Sequence, residues 1–551
     1  MLDDFLAQHP GLGPVSKGHV RGERHFAIDL PRLPAGRELN GAVLVVPAGF
    51  PTEKLEIHVS TEHVLRIPHV ESNGKICFNG DIGPSAGLSP EDRVNDTLIS
   101  FIRNFVKPWA YGELDGDFAK EARIYWALFV IARSSTVGAV NIVYTTGPKP
   151  DVPRVLEASL VKPSGWMLVG PDEALSKRIV ASLGERATQV LNAAVLQVPI
   201  AENFVPHTWP RTLADVTAQL NSRMPDADVQ RFLSGPRKKL VHQVVIFSSS
   251  NCDYAYLLPG GPPSVKKVRK STFSIPIANV VPLIVGRLDP SWTYGRDEHL
   301  EIGPRQRKHV VVFGAGALGS YVIDQLAKAG VGKITVVDPD VMESANVGRH
   351  LLGVNAIGVE KADYVSRQVG RANPACLVLS EPISAQVWLQ RTGSIRNLSV
   401  DMFVDLTGEP SVRAAIEEAR RNKPMPLLVA WMEPFVAAAH ACQLTAQQLW
   451  LNGGADKLES LEAVTWPPDV MRQEPACSSE FQAYTSAAAA HAVALTAEAA
   501  IELLDGQVQT SRIKSWVRGT HYLQKNYRNL ELREWAAAAA PFDGVILGRA
   551  F

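Results

Sequence analysis

The chain has 551 residues, enough for about three domains of ordinary size. Its 56 basic and 56 acidic side chains balance, so no overall charge draws it to nucleic acid or to an acidic membrane surface. The cysteines, which are Cys77, Cys252, Cys376, Cys442 and Cys477, contain no CxxC pair. This argues against a disulfide framework and a four-cysteine zinc site, and a cytoplasmic protein is expected.

The N-terminal part, residues 1–125, predicts a small α/β unit. It starts with an acidic segment that lacks the apolar core of a secretory signal, and no apolar run in the chain approaches the length of a membrane span. Strand-like runs occupy residues 22–29, 41–46 and 55–60. Apolar residues at helical spacing between 92 and 105 predict a helix that packs on this sheet.

One run in this unit, Pro68-His-Val-Glu-Ser-Asn-Gly-Lys-Ile-Cys77, resembles the catalytic stretch of ubiquitin-conjugating enzymes. The resemblance implies a ubiquitin-conjugating-like fold in which Cys77 carries an acyl group as a thioester. His69 stands where that family has an asparagine that supports the oxyanion, and a histidine N–H can donate the same hydrogen bond. Two alternatives stay open: Cys77 as a small buried residue, and His69 as a residue that only fixes the turn.

Residues 126–290 carry weaker signals and no catalytic constellation. Apolar runs over 127–132 and 137–144 predict strands. Helical spacing predicts helices over 173–183, 213–223 and 226–234. The segment is interpreted as a mixed α/β linker domain without an assigned role.

A nucleotide-binding pattern begins the remaining part, residues 291–551. The strand-like run 309–313 leads into Gly314, Gly316 and Gly319, then a helix over 320–329 and a second strand over 333–337. Such a turn lets a phosphate approach the backbone and the helix N-terminus. Because Asn346, Arg349 and Lys361 follow, the charge of a triphosphate can be neutralised, which favours ATP. NAD is a weaker alternative, since it leaves the two cations without an obvious purpose.

The run from Gly314 to His350 resembles the nucleotide-binding stretch of the ThiF-like adenylating enzymes, which include ubiquitin-activating enzymes. The resemblance implies a Rossmann-like adenylation domain in which Asp338 holds the ribose and Asn346, Arg349 and Lys361 contact phosphates. It also implies a homodimer, with Arg296 reaching the ATP site of the partner subunit.

The family's Mg²⁺ ligand is the aspartate of a Thr-Asp-Asn motif. This chain has Gly408 at that position, so either Asp405 or Glu409 is left to hold the metal, with Asp405 as the candidate.

Cys477 is the second candidate nucleophile. It lies in a polar loop ahead of an alanine-rich helix over 485–504, where a thiol pKa can be lowered. Activating enzymes that form thioesters carry their cysteine on such a segment, and an incidental surface thiol is the alternative. Cys252, Cys376 and Cys442 are assigned to packing.

The two resemblances together imply a fused activating and conjugating enzyme, as in the bacterial fusions found with CBASS anti-phage systems. A protein with a flexible C-terminal tail, either a cGAS/DncV-like nucleotidyltransferase (CD-NTase) or a ubiquitin-like protein, would be adenylated with ATP. Its C-terminal acyl group would then be transferred to Cys477, from there to Cys77, and finally to an amine on a target protein. A ThiF-like activator for sulfur transfer or RNA modification and a non-catalytic scaffold that retains nucleotide stay open as alternatives.

Overall fold

The computed structural model describes the chain apart from residues 1, 15–21, 82, 85–86, 134–139, 171, 235–241, 260–279, 392–398, 452–455, 468–469, 471, 474–479, 482–483 and 527–529. The chain divides into two compact units, residues 1–171 with 186–286, and residues 172–185 with 287–551. Both units combine helices with sheets, which confirms the predicted multidomain α/β and α+β class. The boundaries at 125 and 290 stay a prediction.

The first unit begins with a four-stranded antiparallel sheet in the order β1-β2-β3-β4. Its elements are α1 (Leu2–Gln8), β1 (Leu12–Pro14), β2 (Arg24–Ile28), β3 (Val43–Val46), β4 (Glu56–His58), α2 (Pro90–Phe101), α3 (Lys107–Ala110), α4 (Asp117–Lys120) and α5 (Ala122–Arg133). Ser89 caps α2 by accepting the Asp92 N–H at 3.1 Å. The helix buries Val94 and Phe101 in the core beneath β3, as its spacing predicted.

The strand predicted over 127–132 is wrong, because these residues belong to α5. The helix buries Tyr125, Trp126 and Phe129 against the core of the following strands, while Ile124 and Ile131 stay exposed. Apolar residues therefore lie on both sides of the helix, and this hides its period from sequence patterning.

A closed seven-stranded barrel completes the first unit, in the order β10-β11-β5-β7-β6-β8-β9. In chain order the elements are β5 (Ile142–Thr145), β6 (Arg154–Pro163), β7 (Trp166–Val169), α6 (Glu173–Leu183), β8 (Ala187–Pro199), α7 (Leu213–Asn221), α8 (Asp226–Leu233), β9 (His242–Ser248), β10 (Asp253–Leu257) and β11 (Val281–Arg287). Of these, α6 belongs to the second unit. Helix α5 packs on the outside of the barrel, and the Trp126 indole donates to the Leu283 carbonyl at 3.0 Å.

The second unit is built on an eight-stranded sheet in the order β14-β13-β12-β15-β16-β17-β20-β21. Its remaining elements are α9 (Pro290–Gly295), α10 (Ile302–Arg305), β12 (His309–Phe313), α11 (Gly319–Lys328), β13 (Lys333–Val337), α12 (Lys361–Ala372), β14 (Leu377–Glu381), α13 (Ala385–Arg391), β15 (Met402–Asp405), α14 (Pro410–Asn422), β16 (Leu427–Met432), β17 (Ala438–Leu444), β18 (Arg472–Gln473), β19 (Glu480–Phe481), α15 (Ser486–Leu504), β20 (Arg512–Val517), α16 (Thr520–Asn526) and β21 (Val545–Ala550). Separately, β18 and β19 pair with each other.

The strand order reverses between β12 and β15. Strands β12 to β16 are parallel, and β13 and β14 lie on one side of β12 while β15 and β16 lie on the other. Ligands of open α/β sheets bind outside the carboxyl ends of the strands at such a reversal. The fold thus places a ligand site beside Phe313 and Asp405, which pair in register at these ends.

Helix α15 corrects one expectation, because it is long and apolar enough to span a membrane by length and composition alone. It is 19 residues long with a mean hydropathy of 1.4, and 56% of its most apolar window is buried. Its buried face packs on β16, β17 and α11, so the helix has the burial of a core helix. It is the only such helix among the described residues.

A buried ion pair fixes the loop that follows Cys77. The Arg93 guanidinium donates to both Asp81 oxygens, and Asp81 also accepts the Leu55 and Gly83 N–H groups at 2.9 Å each. Burial opposes ionisation of Asp81, but Arg93 and these N–H groups lower its pKa below the ordinary 3.8. The stabilisation from this pair is therefore present at neutral pH and is lost as the pH falls below that value.

We expect Arg93→Met to destabilise the first unit by about 3–5 kcal/mol, because it leaves a buried carboxylate unpaired. Urea unfolding at pH 7 measures the change. Arg103→Met, at an exposed arginine just beyond the same helix, is the matched control and should have little effect. Equal stability of the two variants would contradict this role of Arg93.

Candidate functional site

The glycine turn lies where the strand order reverses. Gly314 has a φ of +91°, and its N–H donates to the Val337 carbonyl at 2.9 Å. A Cβ at Gly314 would lie 3.0 Å from the Leu406 backbone, and a Cβ at Gly319 would lie 2.0 Å from the Gly314 carbonyl oxygen. A Cβ at Gly316 would meet nothing within 4 Å. Two of the glycines are thus required by the packing, whereas Gly316 faces open space.

Asp338 holds this turn from the end of β13. Its Oδ2 accepts the Ala315 N–H at 2.6 Å, and its Oδ1 accepts the Asp340 N–H at 2.8 Å. Burial raises the pKa of Asp338, and the two hydrogen bonds oppose that rise. Each carboxylate oxygen keeps a free lone pair, so the acid can still accept a ribose hydroxyl.

His350 also binds the glycine turn, and it was not predicted as a site residue from the sequence. Its Nε2 donates to the Ala315 carbonyl at 2.6 Å, and its Nδ1 accepts the Leu352 N–H at 3.0 Å. Because one nitrogen donates and the other accepts, the ring is neutral, and burial lowers its pKa. The only sequence signal was its position next to Arg349.

The predicted phosphate-binding residues follow β13. The Lys361 ammonium lies 2.9 Å from Asp340 Oδ2, and its side chain is 11% exposed. The Arg349 guanidinium lies 5.7 Å from the ring centre of Tyr484 and has no carboxylate partner among the described residues. Asn346 accepts the Glu343 N–H at 3.0 Å through its side-chain oxygen. A turn with open space at Gly316 and an arginine without a paired acid fits an anionic nucleotide.

Arg296 lies apart from these contacts. It is exposed, ends α9 with a φ of +51°, and its guanidinium lies 5.9 Å from the Trp292 ring centre. None of its described contacts is with the glycine turn, Asp338 or Arg349. Its predicted reach to a partner subunit and the homodimer therefore stay predictions.

Asp405 lies at the reversal but is buried. Its Oδ1 accepts the Thr407 N–H at 3.0 Å and the Thr407 hydroxyl at 2.7 Å, while Oδ2 lies 4.0 Å from Arg413 Nη1. Burial raises the pKa of Asp405. No group of three or more potential metal ligands is found among the described residues.

The Arg413 guanidinium lies beside Asp405 Oδ2, the oxygen that a metal ion would have to bind. Asp405 and Thr407 alone therefore do not fit Mg²⁺. The assignment of Asp405 to the metal stays a prediction, and Glu409 is exposed nearby.

Cys77 is exposed at the end of a tight turn added to the edge of β4. The Ile76 N–H donates to the Ile57 carbonyl at 2.8 Å, and Ile76 points into the core. Because neighbouring side chains of an extended segment alternate, Cys77 points outward. The alternative of a buried, inert Cys77 is therefore wrong.

The ring of His69 is held by two acids close to Cys77. The His69 carbonyl accepts the Cys77 N–H at 2.8 Å. His69 Nε2 lies 3.0 Å from Asp117 Oδ2, and Nδ1 lies 3.5 Å from Glu121 Oε2. The Tyr125 hydroxyl accepts the His69 N–H at 2.8 Å and donates to Glu121 at 3.0 Å.

The backbone conformation of His69 and the ionisation of Asp117 are both consistent with this hydrogen-bonded position of the His69 ring. His69 has a φ of +62°, which histidine and asparagine adopt more readily than most residues. Burial opposes ionisation of Asp117, but bonds from Lys120 and His69 lower its pKa. Asp117, Glu121 and Tyr125 were not predicted, although they follow one another at four-residue intervals. They come from α4, the residue after it and α5.

Cys477 lies outside the described residues. The strands on either side of its loop, β18 and β19, pair with Arg472 opposite Phe481 and Gln473 opposite Glu480. Its role as a nucleophile stays a prediction. The packing assignments hold, since Cys252, Cys376 and Cys442 are all buried.

Known proteins are similar to much of this chain. Residues 305–538 match the ThiF family. Over 483 residues the chain is 23% identical to the ATP-dependent ubiquitin transferase-like protein Cap2 of Pseudomonas aeruginosa (strain BWHPSA011 / Pa011), covering 82% of both chains.

Other matches are shorter. The chain is 32% identical over 127 residues to the adenylyltransferase and sulfurtransferase UBA4 of Yarrowia lipolytica (strain CLIB 122 / E 150), covering 22% of this chain and 30% of that protein. The crystal structure of E. coli MccB with ATP aligns with 42% of this chain and 65% of its own at 16% identity and a TM-score of 0.31.

These matches confirm the predicted ThiF-like C-terminal domain and the predicted class, an ATP-dependent enzyme of the adenylyltransferase and ubiquitin transferase-like group. They also confirm the resemblance to fused activating and conjugating enzymes, because the Cap2 match extends over most of the chain. ATP is supported as the cofactor, while Mg²⁺, the dimer and the cytoplasmic location stay predictions.

The glycines offer a matched pair of substitutions. Gly319→Ala places a Cβ against the Gly314 carbonyl and should destabilise the second unit by about 1–3 kcal/mol. Gly316→Ala should leave the melting temperature unchanged and weaken ATP binding about tenfold, since the methyl enters the open space. Thermal unfolding and ATP titration measure the two effects. Unchanged ATP affinity in Gly316→Ala would place the phosphates elsewhere.

Proposed function

We propose that this chain, whose residues 305–538 form a ThiF domain, activates the C-terminus of a protein tail with ATP and transfers it to an amine through Cys477 and Cys77. The observation that carries the proposal is an exposed Cys77 beside a carboxylate-held His69, in a chain that also has a nucleotide site. A ThiF activator for sulfur transfer has no use for such a pocket.

The first step makes a poor electrophile reactive. A carboxylate oxygen of the tail attacks the α-phosphorus of ATP, the bond to the bridging oxygen of the β-phosphate breaks, and pyrophosphate leaves. The N–H groups of the glycine turn, Arg349 and Lys361 hold and neutralise the phosphates, and Asp338 orients the ribose. Arg349 suits this role because no described carboxylate competes for it.

Three acyl transfers follow. The Cys477 thiolate attacks the acyl carbon and AMP leaves, which forms the first thioester. The Cys77 thiolate then attacks that carbonyl and releases the Cys477 thiolate. A neutral amine finally attacks the Cys77 thioester, so an amide forms and the Cys77 thiolate leaves, while the proton lost from the amine nitrogen passes to the leaving thiolate or to water.

The pocket around Cys77 serves the last step. Because His69 Nε2 is bound to Asp117 at 3.0 Å, Nδ1 is the ring nitrogen left for this role. Nδ1 lies 3.5 Å from Glu121 without a hydrogen bond, and its N–H can donate to the oxyanion that forms when the amine attacks, as the family's asparagine does. Asp117 and Glu121 hold the ring in place and are also suited to attract a cationic amine before it loses its proton.

We infer that the activated tail belongs to a CD-NTase of an anti-phage system, and that the amine belongs to a target protein. The long match to a ubiquitin transferase-like Cap2 supports a conjugating enzyme over a sulfur-transfer activator. The match to UBA4 covers 22% of this chain and 30% of that protein, so it gives weaker support to the alternative.

We expect Cys77→Ala and Cys477→Ala to stop conjugation at different steps. With a purified CD-NTase from the same genome, both variants should keep ATP–pyrophosphate exchange. Cys77→Ala should keep a thiol-sensitive adduct on Cys477 and lose the amide product, whereas Cys477→Ala should lose both. Non-reducing gels and exchange of labelled pyrophosphate measure these steps. Full conjugation by both variants would contradict the proposed transfer from Cys477 to Cys77.

His69 allows a test that separates side-chain chemistry from the turn. Both His69→Gly and His69→Asn are compatible with its positive φ. Loss of the donor in His69→Gly should slow single-turnover discharge of the Cys77 thioester to lysine by about 10²-fold, while His69→Asn keeps most of the rate. Equal rates for both variants would show that His69 only fixes the turn.

A further inference from the structure

An arginine at the end of β20 has no part in the chemistry described so far. Arg518 directly follows the strand, and its backbone N–H donates to the Ala437 carbonyl at 2.9 Å. Its half-buried guanidinium makes no hydrogen bond and no ion pair with any described residue, and the Nε atom is buried without a partner. A guanidinium carries five N–H donors, so one left without partners is suited to bind an anionic group.

Two aromatic rings contact this guanidinium. Its central carbon lies 4.0 Å from the ring centre of Tyr522 and 4.8 Å from that of Trp516. Tyr522 is fixed because its hydroxyl donates to the Phe435 carbonyl at 2.8 Å, and Trp516 stacks on the His491 ring at 4.3 Å with the planes 8° apart. The arginine is thus ordered before a ligand arrives, which lowers the side-chain entropy lost on binding.

Arg518 lies at the ligand-binding edge of the sheet. Strand β17 is antiparallel to both β16 and β20, so the end of β20 lies at the same edge as the end of β16. Because β16 is in turn parallel to β15 and β12, this edge is the one that carries the Gly314 turn. Arg518 therefore shares an edge with the nucleotide site, several strands away from it.

Helix α15 connects Arg518 with the nucleotide site. Arg349 lies beside the ring of Tyr484, which comes just before the helix, and His491 lies on the second turn of the helix against Trp516. The helix rises roughly 10 Å between residues 484 and 491. Two arginines without a described acid partner therefore contact rings near the two ends of this stretch. With Arg349 assigned to the phosphates of ATP, Arg518 is left for a second anionic group.

The sheet gives the distance to that second group. Four strand spacings separate β12 from β20 in the sheet order, which is roughly 19 Å at about 4.8 Å each. An extended chain advances about 3.4 Å per residue, so about five or six residues span this distance. When the C-terminal carboxylate of a tail reaches the α-phosphorus of ATP, the side chain about five or six residues earlier can lie beside Arg518.

We propose that Arg518 binds an acidic side chain of the protein tail, about five or six residues before its C-terminus, and so selects which tail is adenylated. This inference rests on the proposed function. The contact lies away from the reacting atoms and is the same before and during the reaction. It therefore strengthens binding of the tail without changing the rate at saturation.

Arg518→Gln tests this role with a purified CD-NTase from the same genome. The CD-NTase concentration that gives half-maximal ATP–pyrophosphate exchange should rise about tenfold to a hundredfold, because a charge-assisted hydrogen bond is lost. The maximal exchange rate and the half-saturating ATP concentration should not change. Arg518→Lys keeps the charge but loses the planar fork, so it should give a smaller rise.

Two controls accompany this variant. Arg367→Gln removes another arginine that contacts a ring, since the exposed Arg367 lies 5.1 Å from the ring centre of Tyr364 on α12, and it should behave as wild type. Replacing the acidic side chain of the tail by its amide should weaken binding to the wild-type enzyme as much as Arg518→Gln does. The two changes together should have no further effect, because they remove the same contact. The melting temperature of each variant is measured alongside.

The outcomes separate the two ideas. An unchanged half-saturating CD-NTase concentration in Arg518→Gln would overturn the inference, as would a tail without an acidic side chain about four to eight residues before its end. A lowered maximal rate with a lowered melting temperature would make Arg518 structural only, and a raised half-saturating ATP concentration would assign it to the nucleotide. Either result overturns the inference. Absence of exchange in the unsubstituted enzyme would overturn the proposed function, and this inference with it.

Discussion

The reversal of strand order between β12 and β15 is the constraint on which the second unit depends. The connection that follows β12 leads to β13 on one side, and the connection that follows β15 leads to β16 on the other side. The sheet edge between β12 and β15 is therefore not covered by either connection. Buried apolar strands hold this edge rigid, with Val310, Val312 and Val404 fully buried. The glycine turn, Asp338, Asp405 and Glu433 all directly follow or end strands that meet there.

Three acids at this edge are buried, and each accepts hydrogen bonds from neighbouring N–H or O–H groups. Asp338 binds the turn, and Glu433 binds the Ala463 and Val464 N–H groups. Asp405 binds Thr407 through Oδ1, while its Oδ2 has no hydrogen-bond partner among the described residues. Buried negative charge at a nucleotide site repels phosphates unless cations balance it. Under the proposed function, Lys361 and Arg349 provide that balance. Contacts with Asp340 and Tyr484 already order these two side chains, which lowers the entropy lost when they bind phosphate.

The nucleotide site was predictable because its signals are local. Gly314, Gly316 and Gly319 lie within one turn between a strand and a helix, and Asp338 directly follows the next strand. The exposed position of Cys77 was predictable only through the run of residues around it, and its role as a nucleophile stays a prediction. Glu433 accepts hydrogen bonds from the Ala463 and Val464 N–H groups, which lie 30 and 31 residues further along the chain, so no sequence pattern joins them. Helix α5 was mistaken for a strand because exposed Ile124 and Ile131 fill its outer face.

Helix α5 contacts both parts of the first unit, the Cys77 turn beside the four-stranded sheet and the seven-stranded barrel. Tyr125 binds the backbone of His69 beside Cys77, and the next residue, Trp126, binds the barrel at Leu283. If Cys77 moves towards an acyl donor, the barrel therefore moves with it, unless the Tyr125–His69 or the Trp126–Leu283 hydrogen bond breaks. If Cys77 acts as proposed, its position depends on the barrel through α5, and a ligand bound to the barrel surface would restrain the cysteine without contacting it.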